Sequence, residues 1–304
     1  MRVASVAIIG AGPAGLAAAI QLQRYGIDLL LFEREAVGGL LRNANLVENY
    51  PGFPAGISGV QLVRLFEEQL RLAGVQVTCA GVTALCEDGG LFRIETGNQA
   101  YLARIVVIAS GTRPIQLTDF PIPAAAHGRV IYEILPVLGC AGLRFAIVGA
   151  GDLAFDYALN LGRENQVLIL NRGEHVRCLP LLKERAAQNP NITHLHNTRV
   201  DQVDKGPDGG LVLTCAGMRG VWHLTCDYLI EAIGRKPQLN FISEPFLQRA
   251  AHWEQEGMLY FIGDVKNQQY RQASIAIGDG VLTAMQIHQR ITQAVEAESY
   301  PSDP

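Results

Sequence analysis

Val3-Ala4-Ser5-Val6-Ala7-Ile8-Ile9-Gly10-Ala11-Gly12-Pro13-Ala14-Gly15 decides the fold. Val3 to Ile9 is an unbroken apolar run of strand length, and Ala14 to Tyr25 has the composition of the helix that follows. Between them Gly10 permits a tight turn, Gly12 lets the backbone approach a pyrophosphate, and Gly15 lets the helix pack closely on the sheet. The helix N-terminus adds unpaired N–H groups and the positive end of a dipole. A second strand, Asp28 to Phe32, ends in Glu33, 18 residues past Gly15. A carboxylate at that place accepts hydrogen bonds from a ribose diol, which makes the unit a dinucleotide-binding βαβ. No charge occurs from Val3 to Gln23. That length suits a membrane span or a signal peptide. The glycine turn would break either in its middle, so the reading is a cytoplasmic protein without a span.

A second copy lies mid-chain. Arg144 to Val148 reads as a strand, followed by Gly149-Ala150-Gly151-Asp152-Leu153-Ala154, a helical stretch to about Gly162 and a strand from Val167 to Leu170. That last strand ends in Asn171 instead of an acid, with Arg172 and Arg177 behind it. Loss of the acid beside arginines points to a 2′-phosphate and hence to NADP.

Composition agrees with two α/β units. The chain has 304 residues, 49% of them hydrophobic, and a formal net charge of −4. Such a balance leaves room for a large core and offers no basic face for nucleic acid. The six cysteines (79, 86, 140, 178, 215 and 226) include no Cys-x-x-Cys, which argues against a disulfide scaffold or a zinc site. His194 and His196 could share one strand face, but with no third ligand they read as surface histidines, and no metal is expected. Three further strands deliver glycine turns: Arg104 to Ser110 into Gly111-Thr112-Arg113-Pro114, Tyr228 to Ile233 into Gly234-Arg235-Lys236-Pro237, and Leu259 to Ile262 into Gly263-Asp264-Val265.

Taken in order, these motifs resemble the low-molecular-weight thioredoxin reductase family of FAD- and pyridine-nucleotide-dependent flavoproteins. The likeness runs from about Val3 to Ile291 and includes Gly38-Gly39-Leu40-Leu41, Val47-Glu48-Asn49-Tyr50-Pro51-Gly52-Phe53, Ser110-Gly111-Thr112, Gly263-Asp264-Val265 and Arg271-Gln272-Ala273. It implies two Rossmann-like, doubly wound α/β domains, one inserted in the other. The FAD domain would be 1–114 with 238–304, and a nucleotide domain 115–237 would lie between them. Carried over, Gly10, Gly12, Pro13, Ala14 and Gly15 would hold the FAD pyrophosphate, and Glu33 with Arg34 the adenosine end. Asn49 would lie by the isoalloxazine, Asp264 would bind the ribityl chain, and Gln272 and Ala273 would meet the flavin ring. Gly39, Leu40, Tyr50, Val82, Ser110, Gly111, Gly263 and Arg271 complete that site. The second nucleotide would meet Gly149, Gly151, Asp152, Leu153, Asn171, Arg172, Arg177, Gly234 and Arg235. A homodimer and a thioredoxin-like or ferredoxin-like redox partner are further implications.

The chain also departs from the family pattern. The family's dithiol follows a Val-x-Tyr segment, whereas Val130-Ile131-Tyr132 is followed here by Glu133-Ile134-Leu135-Pro136. Cys140 stands alone and reads as a small hydrophobe. Where the family has His-Arg-Arg-x-x-x-Arg, this chain has Asn171-Arg172-Gly173-Glu174-His175-Val176-Arg177, and Leu153 replaces a hydroxyl residue. The expectation is an FAD oxidoreductase without the dithiol, passing electrons between a reduced donor and an acceptor. Alternatives are a ferredoxin–NADP reductase-like enzyme, a member with a second FAD in the NADPH site, and a non-catalytic flavin sensor or scaffold.

Overall fold

A computed structural model describes residues 3–118, 121–218 and 220–299. It divides into two compact units. One takes the chain up to Arg42, then Glu48–Arg113 and the part from Lys236 onward; the other takes Asn43–Val47 and Pro114–Arg235.

The first unit opens with β1 (Val3–Ile9), α1 (Pro13–Arg24) and β2 (Leu29–Glu33). Pro13 stands in the first turn of α1, where its missing N–H costs nothing, and Gly26 at φ +69° ends the helix. Helix α2 (Gly59–Leu72) is capped by Ser58, whose hydroxyl accepts from Gln61 N–H at 3.3 Å. Then come β3 (Val77–Cys79), β4 (Val82–Asp88), β5 (Leu91–Thr96), β6 (Ala100–Ile108) and β7 (Thr112–Pro114).

The inserted stretch carries β8 (Val130–Ile131), β9 (Arg144–Val148), α3 (Asp152–Leu161), β10 (Gln166–Leu170), α4 (Pro180–Gln188) and β11 (Ile192–Leu195). An antiparallel meander follows, β12 (Thr198–Lys205), β13 (Leu211–Gly217) and β14 (Gly220–Cys226), and then β15 (Tyr228–Glu231). Strand β16 (Arg235–Pro237) pairs with β7. The chain then returns to the first unit with α5 (Glu244–Gln255), β17 (Leu259–Phe261) and α6 (Ala273–Ser299).

In the first unit the sheet runs β3-β2-β1-β6-β5-β4, with β17 also pairing with β6. Strands β3, β2, β1, β6 and β17 are mutually parallel, and β5 and β4 run back as an antiparallel hairpin. The parallel strands are largely apolar because both faces are covered, whereas the β4–β5 hairpin carries Glu87, Asp88, Arg93 and Glu95. One face packs Val6, Ile8 and Leu31 against α1 and α6; the other packs Phe32, Phe92 and Ile94 against Phe246 and Trp253 of α5. In the second unit the all-parallel order is β11-β10-β9-β15-β8. Helix α3 buries Phe155, Tyr157 and Ala158 against one face, and the meander covers the other through Val203, Leu213 and Cys215. Both units are thus doubly wound α/β, the fold class the glycine motifs imply. Among the described residues no helix is long and apolar enough to cross a membrane.

The approach of α6 to α1 is set by one glycine. A Cβ on Gly280 would stand 2.2 Å from the Ala14 carbonyl oxygen and 2.9 Å from Ala18 N, whereas one on exposed Gly278 would meet nothing within 4 Å. Gly280→Ala should therefore lower unfolding stability by about 1–3 kcal/mol through overpacking. Gly278→Ala should raise it by about 0.5–1 kcal/mol through helix propensity. Denaturant titration of the two variants checks the contrast.

Candidate dinucleotide sites

In the first unit, the strand-to-helix turn is built from what its glycines lack. Gly10 has φ +107°, and a Cβ there would lie 2.4 Å from Ala109 O; one on Gly15 would lie 1.9 Å from Gly10 O. These two glycines lock β1, β6 and the first turn of α1 together. Gly12 does the opposite, since a Cβ there would meet nothing within 4 Å. Gly39, whose own Cβ would be 3.5 Å from Gly12 Cα, stands beside it, in the 3₁₀ turn with Leu40. The open face lies where a pyrophosphate approaches the α1 N-terminus, so the turn fits a dinucleotide.

Glu33 ends β2 beside this turn. Its Oε2 accepts from Ala11 N–H at 2.9 Å and its Oε1 from Glu35 N–H at 3.1 Å. Both bonds fix the carboxylate at the mouth of the turn and leave lone pairs for a diol. Arg34 is exposed and paired with Glu35 at 3.2 Å, and its Cβ lies against Gly81, next to Val82.

Residues far apart in sequence meet in this unit. Asn49 Nδ2 donates to Gln272 Oε1 at 2.8 Å, so two of the residues expected beside the flavin form one amide pair. Tyr50 packs edge-on to Phe66. Ser110 Oγ donates to Gln238 O at 2.7 Å, and Gly111 O accepts from Gln238 N–H at 3.0 Å. Gly263, at φ +69°, sits with Asp264 in a 3₁₀ turn, and Arg271 and Ala273 are half-buried ahead of α6. Asp279, which the motif reading passes over, holds this turn: its Oδ2 accepts from Gly263 N–H at 3.0 Å and from Asn267 Nδ2 at 2.6 Å. An acid between two glycines in an otherwise apolar stretch, Ile277-Gly278-Asp279-Gly280-Val281, was the available signal.

The second unit repeats the turn with different chemistry. Gly149 has φ +137°, and a Cβ there would lie 2.3 Å from Ala232 O; one on Gly151 would meet nothing within 4 Å. Asp152 at the start of α3 already accepts from Leu179 N–H at 2.7 Å, and Leu153 packs against the core. Asn171 is turned inward: it is 6% exposed, its Oδ1 accepts from Gly173 N–H, and its Nδ2 donates to His175 O. The exposed cations at this loop are Arg172 and Arg177, the latter tied by its N–H to Ala150 O at 2.8 Å. Glu174 is exposed beside open Gly173 and reaches Asn197 Nδ2 at 3.4 Å. Gly234 has φ +131°, and the Arg235 guanidinium, 10% exposed, pairs with Glu133 at 3.3 Å.

Two polar groups of this unit differ from or add to the sequence expectation. His194 is a correction, because it is half-buried instead of a surface residue. Its ring meets Phe155 edge-on and lies 4.0 Å from that of exposed His196. Its Nε2 is buried without a partner, and burial brings its pKa down to about 4. Among the described residues no group of three or more ligating side chains could hold a metal. Asp156, on α3, accepts from Asn45 N–H at 3.0 Å, and Arg163, just past the end of that helix, donates to Asn45 Oδ1. Asn43 Oδ1 accepts from Leu135 N–H at 2.9 Å. These bonds place 43–47 in the inserted unit, although sequence continuity assigns it to the first.

Comparison with known proteins follows the same two motifs. The family model described as pyridine nucleotide-disulphide oxidoreductase matches residues 4–280. The chain belongs to that family, in its thioredoxin reductase-like group. It is 31% identical to the thioredoxin reductase of Mycolicibacterium smegmatis, covering 90% of this chain and 92% of the relative. It is 30% identical to the mitochondrial thioredoxin reductase 1 of Arabidopsis thaliana, covering 91% and 81%. The fold superposes on the Lactococcus lactis thioredoxin reductase with a TM-score of 0.83 at 24% identity, covering 95% and 99%. Members of this thioredoxin reductase-like group are FAD-dependent oxidoreductases, and the first unit's turn and Glu33 fit that cofactor.

Two outcomes follow from this geometry. Gly12→Ala should leave the unfolding free energy of the FAD-free protein within about 1 kcal/mol of wild type while weakening FAD roughly tenfold or more. Gly15→Ala should destabilise the protein outright. Flavin titration beside thermal melts separates the two. Burial pushes the Asp156 carboxyl up to about 6, against the Asn45 N–H and Arg163. A folded pKa above the unfolded one means stability that is present below about pH 4 and lost as pH rises through about 6. Asp156→Asn keeps an acceptor for Asn45 and removes the buried charge. It should match wild type near pH 4 and exceed it by about 1–3 kcal/mol near pH 8, read by denaturation at both pH values.

Proposed function

We propose that this protein passes electrons between a reduced nucleotide or protein donor and an acceptor through its FAD alone, with no neighbouring dithiol. The observation that carries the reading is the segment after β8. Tyr132 is followed by Glu133, which pairs with Arg235, by fully buried Ile134, and by the 3₁₀ turn Leu135–Val137. Thiol chemistry has no pair of sulfurs there. Cys140 is half-buried against the core of the inserted unit, and the six cysteines are all unpaired.

FAD supplies the redox chemistry when bound, and the chain's part is to hold and tune it. In this reading the α1 N-terminus and Gly12 take the pyrophosphate, and Glu33 takes the adenosine ribose. The Asn49–Gln272 pair offers one spare amide edge to the ring. The Gly149–Gly151 turn takes a second dinucleotide. Exposed Arg172 and Arg177 favour NADPH, and exposed Glu174 beside open Gly173 favours a second reading, in which another FAD occupies that turn. We place the protein in the cytoplasm as a homodimer with a redox partner protein. Exposed Ile275, Leu282 and Met285 on one face of α6 support the pairing of two copies.

Flavin content and reductive stoichiometry test the reading. Anaerobic dithionite titration should complete reduction after one two-electron equivalent per flavin, and Cys140→Ser should leave that endpoint unchanged. A second equivalent per flavin, removed by Cys140→Ser and accompanied by NADPH-dependent thioredoxin reduction, would reveal a working thiol pair and defeat it. Two flavins per chain would decide for the diflavin form.

A further inference from the structure

We propose that Glu231 is the acceptor for the second nucleoside of a dinucleotide seated on the Gly149–Gly151 turn. This rests on the reading of the inserted unit as a dinucleotide holder. It adds a specificity residue that neither glycine motif contains.

The argument starts from strand order. In β11-β10-β9-β15-β8 the chain leaves β9 through α3 to β10 on one side, while β15 and β8 lie on the other. The direction of winding therefore reverses between β9 and β15, and dinucleotides cross an α/β sheet at that place. Glu231 is the last residue of β15 and is in register with Val148, immediately before Gly149. On its other side Ile230 is in register with Ile131, so Tyr132 stands next to Glu231. Ala232 O is the atom that excludes a Cβ from Gly149. Arg172 and Arg177 lie after β10, on the side of the first nucleoside. Glu231 lies on the side of the second.

The side chain is wrong for a structural role alone. Its neighbours Leu229, Ile230 and Ala232 are apolar and buried, and Glu231 is 1% exposed. Its Oε2 accepts from Leu117 N–H at 2.7 Å, whereas Oε1 is buried with no hydrogen-bond partner. Leaving a buried carboxylate oxygen unsatisfied is costly, and native chains keep few such atoms. The groups that face the acid are the Leu117 N–H and Tyr132, whose hydroxyl it pushes up in pKa after the larger effect of burial. Leu117 is half-buried, and its N–H is the bond from this short segment to the acid, beside the Ile115 N–H bond to Gly234 O and the side-chain bond of Gln116 to Tyr132. The complementary ligand group is an N–H or O–H donor. A nicotinamide carboxamide or a ribityl hydroxyl supplies it, and a pyridinium cation gains further from the carboxylate.

Calorimetric titration of the FAD-loaded protein with NADP⁺ and with FAD tests this, beside the truncated ligands adenosine 2′,5′-bisphosphate and AMP. Glu231→Leu should weaken the whole dinucleotide roughly tenfold or more and leave the truncated ligands within about twofold. Glu231→Gln, which keeps an acceptor oxygen, should lie between. NADP⁺ affected more than FAD identifies the carboxamide as the donor, and the reverse identifies the ribityl hydroxyl. Hydrogen exchange at 115–118 in the wild type should change with the whole dinucleotide and not with its adenosine half, a readout that does not depend on any variant folding. Equal losses for whole and truncated ligands, or a Glu231→Leu protein that binds like wild type, overturn the assignment alone. A wild type that binds no second dinucleotide overturns both this and the reading it rests on.

Discussion

The contact between the Gly15 backbone and the Gly10 carbonyl is the constraint on which the first unit depends. A methyl group at Gly15 would sit inside that oxygen, so helix and strand meet at a distance only a bare backbone allows. This closeness aims the N-terminus of α1 at the ends of β1 and β6 and brings the small face of α1, Ala14, Ala18 and Ala19, within reach of α6. Glu33 is then presented by β2 beside Ala11, and Gly263 comes to rest with its missing Cβ 2.8 Å from the Ala14 methyl. Sheet, helix pair and binding turn are consequences of a single steric allowance.

The inserted unit uses the same device and spends its polar groups differently. Its turn is open at Gly151, yet the residues around it are largely committed to one another: Asp152 to Leu179, Asn171 to its own loop, Arg235 to Glu133. What stays exposed, Arg172, Glu174 and Arg177, carries mixed charge. A surface of that kind discriminates between ligands more by geometry than by net attraction. The two halves of the chain thus keep one backbone solution and diverge in side chains.

Much of this was legible from residue order, for a physical reason. Glycine turns, strand ends and the first turn of a helix are local, so Gly10 to Gly15, Gly149 to Gly151, Glu33 and the strands around them can be read directly. Asn49 and Gln272 could be named from the motifs, but their hydrogen bond spans 223 positions and no local pattern encodes it. Asp279, Asp156 and Glu231 escaped for the same reason, since each is defined by a backbone N–H brought to it from elsewhere in the chain. His194 was misjudged because burial depends on Phe155 of α3, which covers it. Alternation along a short edge strand does not reveal what packs against it.

The split of the first unit across the chain has a consequence for how the protein comes to exist. Strand β17 and helix α6 leave the ribosome after the whole inserted unit, yet β17 completes an edge of β6 and α6 covers α1. The inserted unit takes nearly all its residues from one continuous stretch, 114–235, and can close while synthesis continues. Until the stretch from Lys236 onward emerges, the alanine face of α1 has no α6 to cover it, and the Gly263–Asp264 turn does not yet exist. The nascent chain thus passes through an interval in which a finished domain is carried on an unfinished one. That interval is when the small apolar face of α1 is most in need of protection.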